Sequence, residues 1–188
     1  MARFIALLDA NVLWPISLCD ILLRAAEAGL YQPAWSKDIL DELVNSLIRE
    51  RPGLDPDRIK ARVADMRDHF PEAMTAGYEA LMPAMLNDPG DHHVLAAAIR
   101  APAAVIVTDN VRDFPPLACD PYEIDVQTAD DFLCHLWHLD PTKMARIVQE
   151  AADALKNPPK NPKELVAILG QTCPVFARTV AESGLLSQ

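Results

Sequence analysis

Short apolar runs punctuate the first two thirds of the chain, and amphipathic stretches separate them. Phe4–Leu8 and Ala103–Val107 are apolar at every position. A run of that kind, with no polar alternation, predicts a strand covered on both faces. Leu30–Trp35 predicts another short strand, with Pro33 acceptable at a strand end, and Tyr122–Val126 a last one. Between them the apolar spacing shifts to the helical period. Ile16, Cys19, Leu22, Leu23 and Ala26 predict a helix over Ile16–Ala28, stopped at Gly29. Ser36 is placed to cap Lys37–Arg49, whose apolar face is Ile39, Leu40, Leu43, Val44 and Leu47. Asp57–Phe70 carries Ile59, Val63, Met66 and Phe70, with Arg58, Lys60, Arg62 and Arg67 read as a solvated flank. Pro71–Leu86 offers one short helix before Pro83. The turn Asn87-Asp-Pro-Gly-Asp91 feeds a helix His92–Arg100 with Val94, Leu95, Ala98 and Ile99 inward, and Thr128 caps a helix running to about His138.

Strands separated by helices imply an α/β fold: a central parallel sheet flanked by helices in three layers, joined by right-handed crossovers. In such sheets the functional crevice lies outside the carboxyl ends of the strands. From Asp140 the strands stop. Pro141–Leu155, Lys163–Gly170 and Cys173–Leu186 read as helices, with Asn157–Pro162 a stiff linker. The expected division is an α/β unit at 1–139 and an all-helical C-terminal extension at 140–188.

Acidic residues end or flank the apolar runs at four places. Asp9 follows the first strand, and the loop Asp109–Asp113 follows the Ala103–Val107 strand, so both belong at one sheet edge. Asp91 lies three and four residues before Val94 and Leu95, on the inward face of a first helical turn. Glu42 sits early in a helix that follows a strand. Any one of these acids serves equally well as a helix cap; four converging on one crevice is a stronger pattern. Clustered carboxylates repel unless a cation joins them. Oxygen-only ligands select Mg2+ or Mn2+, and such an ion can orient water and stabilise charge on a phosphate. That is the pattern of a metal-dependent nuclease.

The ordered set Leu7-Leu-Asp-Ala-Asn-Val-Leu13, Ser36-Lys-Asp-Ile-Leu-Asp-Glu-Leu43, Asp88-Pro-Gly-Asp-His-His-Val-Leu-Ala-Ala-Ala98 and Val107-Thr-Asp-Asn-Val-Arg-Asp-Phe-Pro115 resembles the PIN-domain ribonucleases, of the kind found as VapC-type toxins of bacterial toxin–antitoxin pairs. The resemblance spans about residues 4–136. It implies a PIN-like fold and Mg2+- or Mn2+-dependent endonucleolytic cleavage of RNA, single-stranded or in the loops of structured molecules (tRNA, rRNA or mRNA). It also implies a small antitoxin partner and a homodimer. Carried onto matching positions, Asp9, Glu42, Asp91 and Asp113 are the catalytic acids, and Asp9, Asp91 and Asp113 are metal ligands. Asp109 rivals Asp113 for the fourth place. Asn11, Thr108 and Asn110 would support them through hydrogen bonds. The helical extension goes beyond the minimal domain.

Charge changes the picture in one respect. The 188 residues carry 17 basic and 27 acidic side chains, a net charge of −10. Such a chain does not adhere broadly to nucleic acid, so contact with RNA must be local, metal-assisted or helped by a basic partner. No run approaches the roughly 18 apolar residues of a membrane span, and no secretory signal follows Met1. Cys19, Cys119, Cys134 and Cys173 form no CxxC pair and read as reduced thiols of a cytoplasmic protein. His92-His93 is set aside as a helix-surface pair without zinc spacing. Trp14, Trp35 and Trp137 are dispersed and read as core or interface residues. No Gly-rich phosphate loop is present. Among other classes, an aspartyl-phosphate phosphatase wants Asp where Asn11 stands, and a phospho-receiver wants a Lys after a late strand, which Val105–Asp113 lacks. A non-catalytic binding module on the same fold is the alternative that keeps the acids without the chemistry.

Overall fold

The computed structural model describes residues 3–187. Its centre is a five-stranded sheet with every neighbouring pair parallel: β1 (Ile5–Leu8), β2 (Gln32–Ser36), β3 (Met74–Thr75), β4 (Val105–Val107) and β5 (Asp125–Gln127), in the order β3-β2-β1-β4-β5. The helices are α1 (Ala10–Leu13), α2 (Ile16–Glu27), α3 (Lys37–Glu50), α4 (Pro56–His69), α5 (His92–Arg100), α6 (Pro116–Cys119), α7 (Ala129–Leu139), α8 (Pro141–Ala154), α9 (Pro162–Leu169) and α10 (Pro174–Glu182). Ala6, Leu7 and Leu8 are all fully buried, as are Ile106 and Val107. Successive strand side chains point to opposite faces, so helices cover both faces and the molecule has three layers. The three-layer α/β architecture with a helical C-terminal part is the one the apolar pattern implied, and its PIN-like character the one the resemblance implied.

The differences are local and have local causes. Pro33 lies inside β2, not at its end. Gln32 N donates to Phe4 O, so the alternate residue Pro33 faces away from β1. On that side β3 begins only opposite Trp35, and no partner there needs the missing N–H. The β3 strand itself escaped the pattern because it is two residues long. The helix expected before Pro83 is a 3-10 turn, Glu79–Ala84, that contains Pro83. Two short helices, α1 and α6, sit where only loop was expected. The helix expected over Cys173–Leu186 stops at Glu182; Gly184 follows at φ 70°. Gly29 does end α2, in a left-handed conformation at φ 78°, and Ser36 caps α3 by accepting from Ile39 N.

Helix α5 is buried nearly all round. Val94, Leu95 and the run Ala96–Ala98 are each fully buried, against the two-sided face the spacing implied. Its small side chains let it lie close on β1, β2 and β4. One end of the sheet thereby becomes the place where two loop systems meet. From β1 the chain builds outward through β2 and β3, then returns to add β4 and β5 on the other side. The switch point falls between the carboxyl ends of β1 and β4, the crevice such sheets use.

The C-terminal helices share the sheet's core. α8 packs on α2 and α9, and α10 packs on α7 and α9. Trp137 and Phe176 meet edge-to-face at 6.2 Å. Leu165, Leu169, Phe176 and Val180 belong to the same continuous apolar cluster as β1. Among the described residues no helix is long and apolar enough to cross a membrane.

A shared core makes one cooperative unit. Phe176→Ala should lower stability by about 3–5 kcal/mol, in a single urea transition. Tryptophan fluorescence and far-UV dichroism should report the same midpoint; separate transitions would mean that the tail folds apart from the sheet.

Candidate active site at the switch point

Asp9 is the first residue after β1, and it is 3% exposed. Its backbone N–H continues the sheet ladder by donating to Val107 O at 3.1 Å. Its side chain is held from three directions. Oδ1 accepts from Ala10 N at 2.7 Å, which caps α1. Oδ2 accepts from the Thr108 hydroxyl at 2.7 Å and from Asn11 Nδ2 at 2.8 Å. Thr108, the first residue after β4, is fully buried. Its Oγ1 also accepts from Asn11 Nδ2 at 2.9 Å and from Asn110 N at 3.1 Å. One hydroxyl thus uses its single proton and both lone pairs. Asn11 and Thr108 thus both hydrogen-bond the Asp9 carboxylate and each other. Asn110 takes part only through its backbone. Burial raises the Asp9 pKa, opposed by the Thr108 hydroxyl and the Ala10 N–H; Glu42 adds to the rise and His93 opposes it.

Asp91 arrives from the other loop system. The turn before α5 is pinned by Asn87, which is 6% exposed and donates from Nδ2 to Asp91 O at 2.9 Å. Asp88 N donates to Asp113 O at 2.9 Å, tying this turn to the loop after β4. Asp113 closes a 3-10 turn, Val111–Asp113. The half-buried Asp91 carboxyl is pushed up to about 6, first by burial, then by the negative charges of Asp9 and Asp113. Three of the expected acids therefore share one electric field. Glu42, half exposed on α3, joins through His93, whose Nε2 lies 3.6 Å from Glu42 Oε2. Among the described residues no three His, Cys, Asp or Glu side chains converge closely enough to clasp an ion as they stand.

Asp109 points elsewhere. It is exposed, its N–H donates to Asn11 Oδ1 at 3.1 Å, and its own Oδ1 accepts from Ala129 N at 3.2 Å, at the start of α7. Three other residues bear on the site in ways the sequence did not announce. His93 was read as a surface histidine. Its side chain is 14% exposed, lies between α5 and α3, and has an Nδ1 without a hydrogen-bond partner among the described residues. Its signal was the spacing of two from Asp91, masked by the adjacent His92. Asn87 stood in a turn signature, where burial is not expected. Arg62 was counted in a solvated flank, yet it is half-buried and donates to Leu13 O at 2.8 Å, fixing the far end of α1.

The PIN domain family model matches residues 6–112, and a VapC50 C-terminal domain model matches residues 129–182. A Mycobacterium tuberculosis protein named "Putative ribonuclease VapC50" is 41% identical over 105 residues, 56% of this chain and 62% of that protein. The alignment thus spans less than two thirds of that relative's length. No solved structure matches.

The raised Asp91 pKa fixes a pH dependence for the ion-free protein. Between the ordinary value of 3.8 and about 6, the folded chain keeps a proton that the unfolded chain has released. Stability is therefore lost as pH rises through that window. Asp91→Asn should match the wild type near pH 3.5. It should melt higher above pH 6, by about 2–4 °C for each kcal/mol recovered. Thermal scans in chelator test this; a gap that closes with rising pH would contradict it.

Proposed function

The chain belongs to the PIN-domain family, and we propose that it is a metal-dependent endoribonuclease serving as the toxin of a toxin–antitoxin pair. One observation carries the reading: a buried Asp9, held by Thr108 and Asn11 at the switch point, lies in one field with Asp91 and Asp113, and burial together with those two charges pushes Asp91 up to about 6. Nothing in folding requires three acids there, and their repulsion works against stability. The name of the Mycobacterium tuberculosis relative supports the same reaction class.

The donor set suits a hard divalent cation, Mg2+ or Mn2+, because every candidate donor is a carboxylate oxygen. Asp9, Asp91 and Asp113 would hold it. Asp113 is favoured over Asp109, whose carboxylate is engaged at α7. When bound, such an ion supplies positive charge for the scissile phosphate and acidifies water. The chain's own groups do the rest. Thr108 and Asn11 fix the Asp9 rotamer, leaving Oδ1 with only one partner. Glu42, exposed and 3.6 Å from His93, would accept a proton from the attacking water. The water oxygen forms a bond to phosphorus as the bond to the leaving sugar oxygen breaks, and that oxygen takes up a proton. With a net charge of −10, the contact with RNA is local; the family resemblance favours a single-stranded or looped segment as substrate.

The partner is a small antitoxin, and the assembly a homodimer in the cytoplasm. The binding-module alternative keeps the fold without the reaction. A phosphatase reading is weaker, since Asn11, which stands where that chemistry wants an acid, has its amide bonded to Asp9 and Thr108.

Asp9→Asn should reduce cleavage of a total tRNA and rRNA pool in Mn2+ or Mg2+ by at least about 100-fold, while the circular dichroism spectrum stays unchanged. EDTA should do the same to the wild type, and Asp113→Asn should cost far more than Asp109→Asn. Wild-type rates in EDTA would remove the metal mechanism. Expression of the chain alone should slow growth and a neighbouring small protein relieve it; growth unaffected by the chain would favour the binding module.

A further inference from the structure

The contacts of Asp109 lead away from the acid cluster and end in the C-terminal helices. Asn11, which holds Asp9 Oδ2, accepts from Asp109 N, and Asp109 Oδ1 accepts from Ala129 N at the first residue of α7. The next residue, Asp130, reaches across to α10. Its Oδ2 accepts from Val175 N at 2.9 Å and its Oδ1 from Phe176 N at 2.7 Å. Those amides belong to the first turn of α10, where a helix leaves donors unpaired. The residue that precedes α10, Cys173, makes no side-chain cap of its own, and Pro174 has no N–H. One carboxylate therefore supplies the cap that the tail helix lacks, and negative charge is favourable at that end. Trp137 on Phe176 seals the same junction.

We propose that Asp130 is a positioning residue through which the C-terminal helices set the acid cluster. Its bidentate grip fixes the first turn of α7 against α10. That turn fixes the Asp109 side chain, the Asp109 N–H fixes Asn11, and Asn11 fixes Asp9. The extension is thus part of the site's scaffold, and a tail that undocks loosens the ligand that the nuclease reading puts at the centre. The metal-binding arm of the test rests on that reading; the structural arm does not.

The test uses the full chain as wild type, Asp130→Ala, Asp130→Asn and Asn161→Ala. The last breaks the capping box of α9, elsewhere in the tail and off this path. Two quantities are read: amide hydrogen exchange at Asp109 and Ala129, and Mn2+ affinity by calorimetry at neutral pH. In Asp130→Ala, exchange at both amides should rise by about tenfold and Mn2+ binding should weaken by about tenfold. Asp130→Asn keeps one acceptor oxygen and should fall between wild type and Asp130→Ala, with exchange at both amides still faster than wild type; Asn161→Ala should change neither. Wild-type exchange at Asp109 in Asp130→Ala, or equal effects from Asn161→Ala, would overturn the proposal. Should Asp130→Ala fail to fold, Asp130→Asn decides on the same amides, with faster exchange supporting the path and wild-type exchange refuting it. A wild type that binds no Mn2+ sinks the nuclease reading, and exchange alone then decides the path.

Discussion

The constraint on which the site depends is the burial of the Asp9 carboxylate where β1 and β4 end. A carboxylate taken out of water costs several kcal/mol. Here the cost is offset by hydrogen bonds from Thr108, Asn11 and Ala10, each of about 1.5–3 kcal/mol when the acceptor is charged. Thr108 can donate only if β4 lies beside β1 in the observed register, Leu8 opposite Val107. Asn11 can donate only if the chain turns at once into α1, and Arg62 closes the other end of that turn. The switch point, the short helix and the fully used hydroxyl are therefore one arrangement. A slip of one residue in β1 would put Leu8 or Ala10 where the carboxylate belongs.

Asp91 and Asp113 obey a different logic. Their backbones are tied together, Asp88 N to Asp113 O and Asn87 to Asp91 O, while among the described residues no cationic side chain hydrogen-bonds between their carboxylates. The backbone thus forces proximity that the charges oppose. Burial first, and then that conflict, raises the Asp91 pKa, and among the described residues the carboxylates stay short of clasping geometry. Groups that fold at a cost and relax only with a positive charge are better explained by function than by stability.

How far the sequence reveals this differs by level. Strands β1 and β4 were legible because burial on both sides writes itself as unbroken apolar runs; α5 was legible as a helix, but its burial all round was not. Asp9, Glu42, Asp91 and the Asp109–Asp113 loop were legible as candidates because each follows a strand or opens the helix after one. What stayed hidden depends on contacts distant in the chain. The choice between Asp109 and Asp113 turns on Ala129 N, 20 residues from Asp109. His93 has no local mark that distinguishes it from His92; only α3 packing on α5 makes it an inward residue. Pro33 looked like a strand breaker because the length of β3, which decides whether its missing N–H matters, cannot be read from β2.

The same distinction bears on the extension. A change of composition near Asp140 reads as a boundary, because strands stop there. The packing does not stop: α8 lies on α2, α10 on α7, and a single apolar cluster runs from β1 to Val180. The match to a C-terminal domain model begins at residue 129, the first residue of α7. That helix pairs with β5 on one side and α10 on the other. Its first two residues take part in two capping contacts: Ala129 gives its N–H to Asp109, and Asp130 gives its carboxylate to α10. A helix whose N-terminus is committed in both directions cannot shift toward one partner without releasing the other. α7 is thus better described as the joint between sheet and tail than as the last element of either.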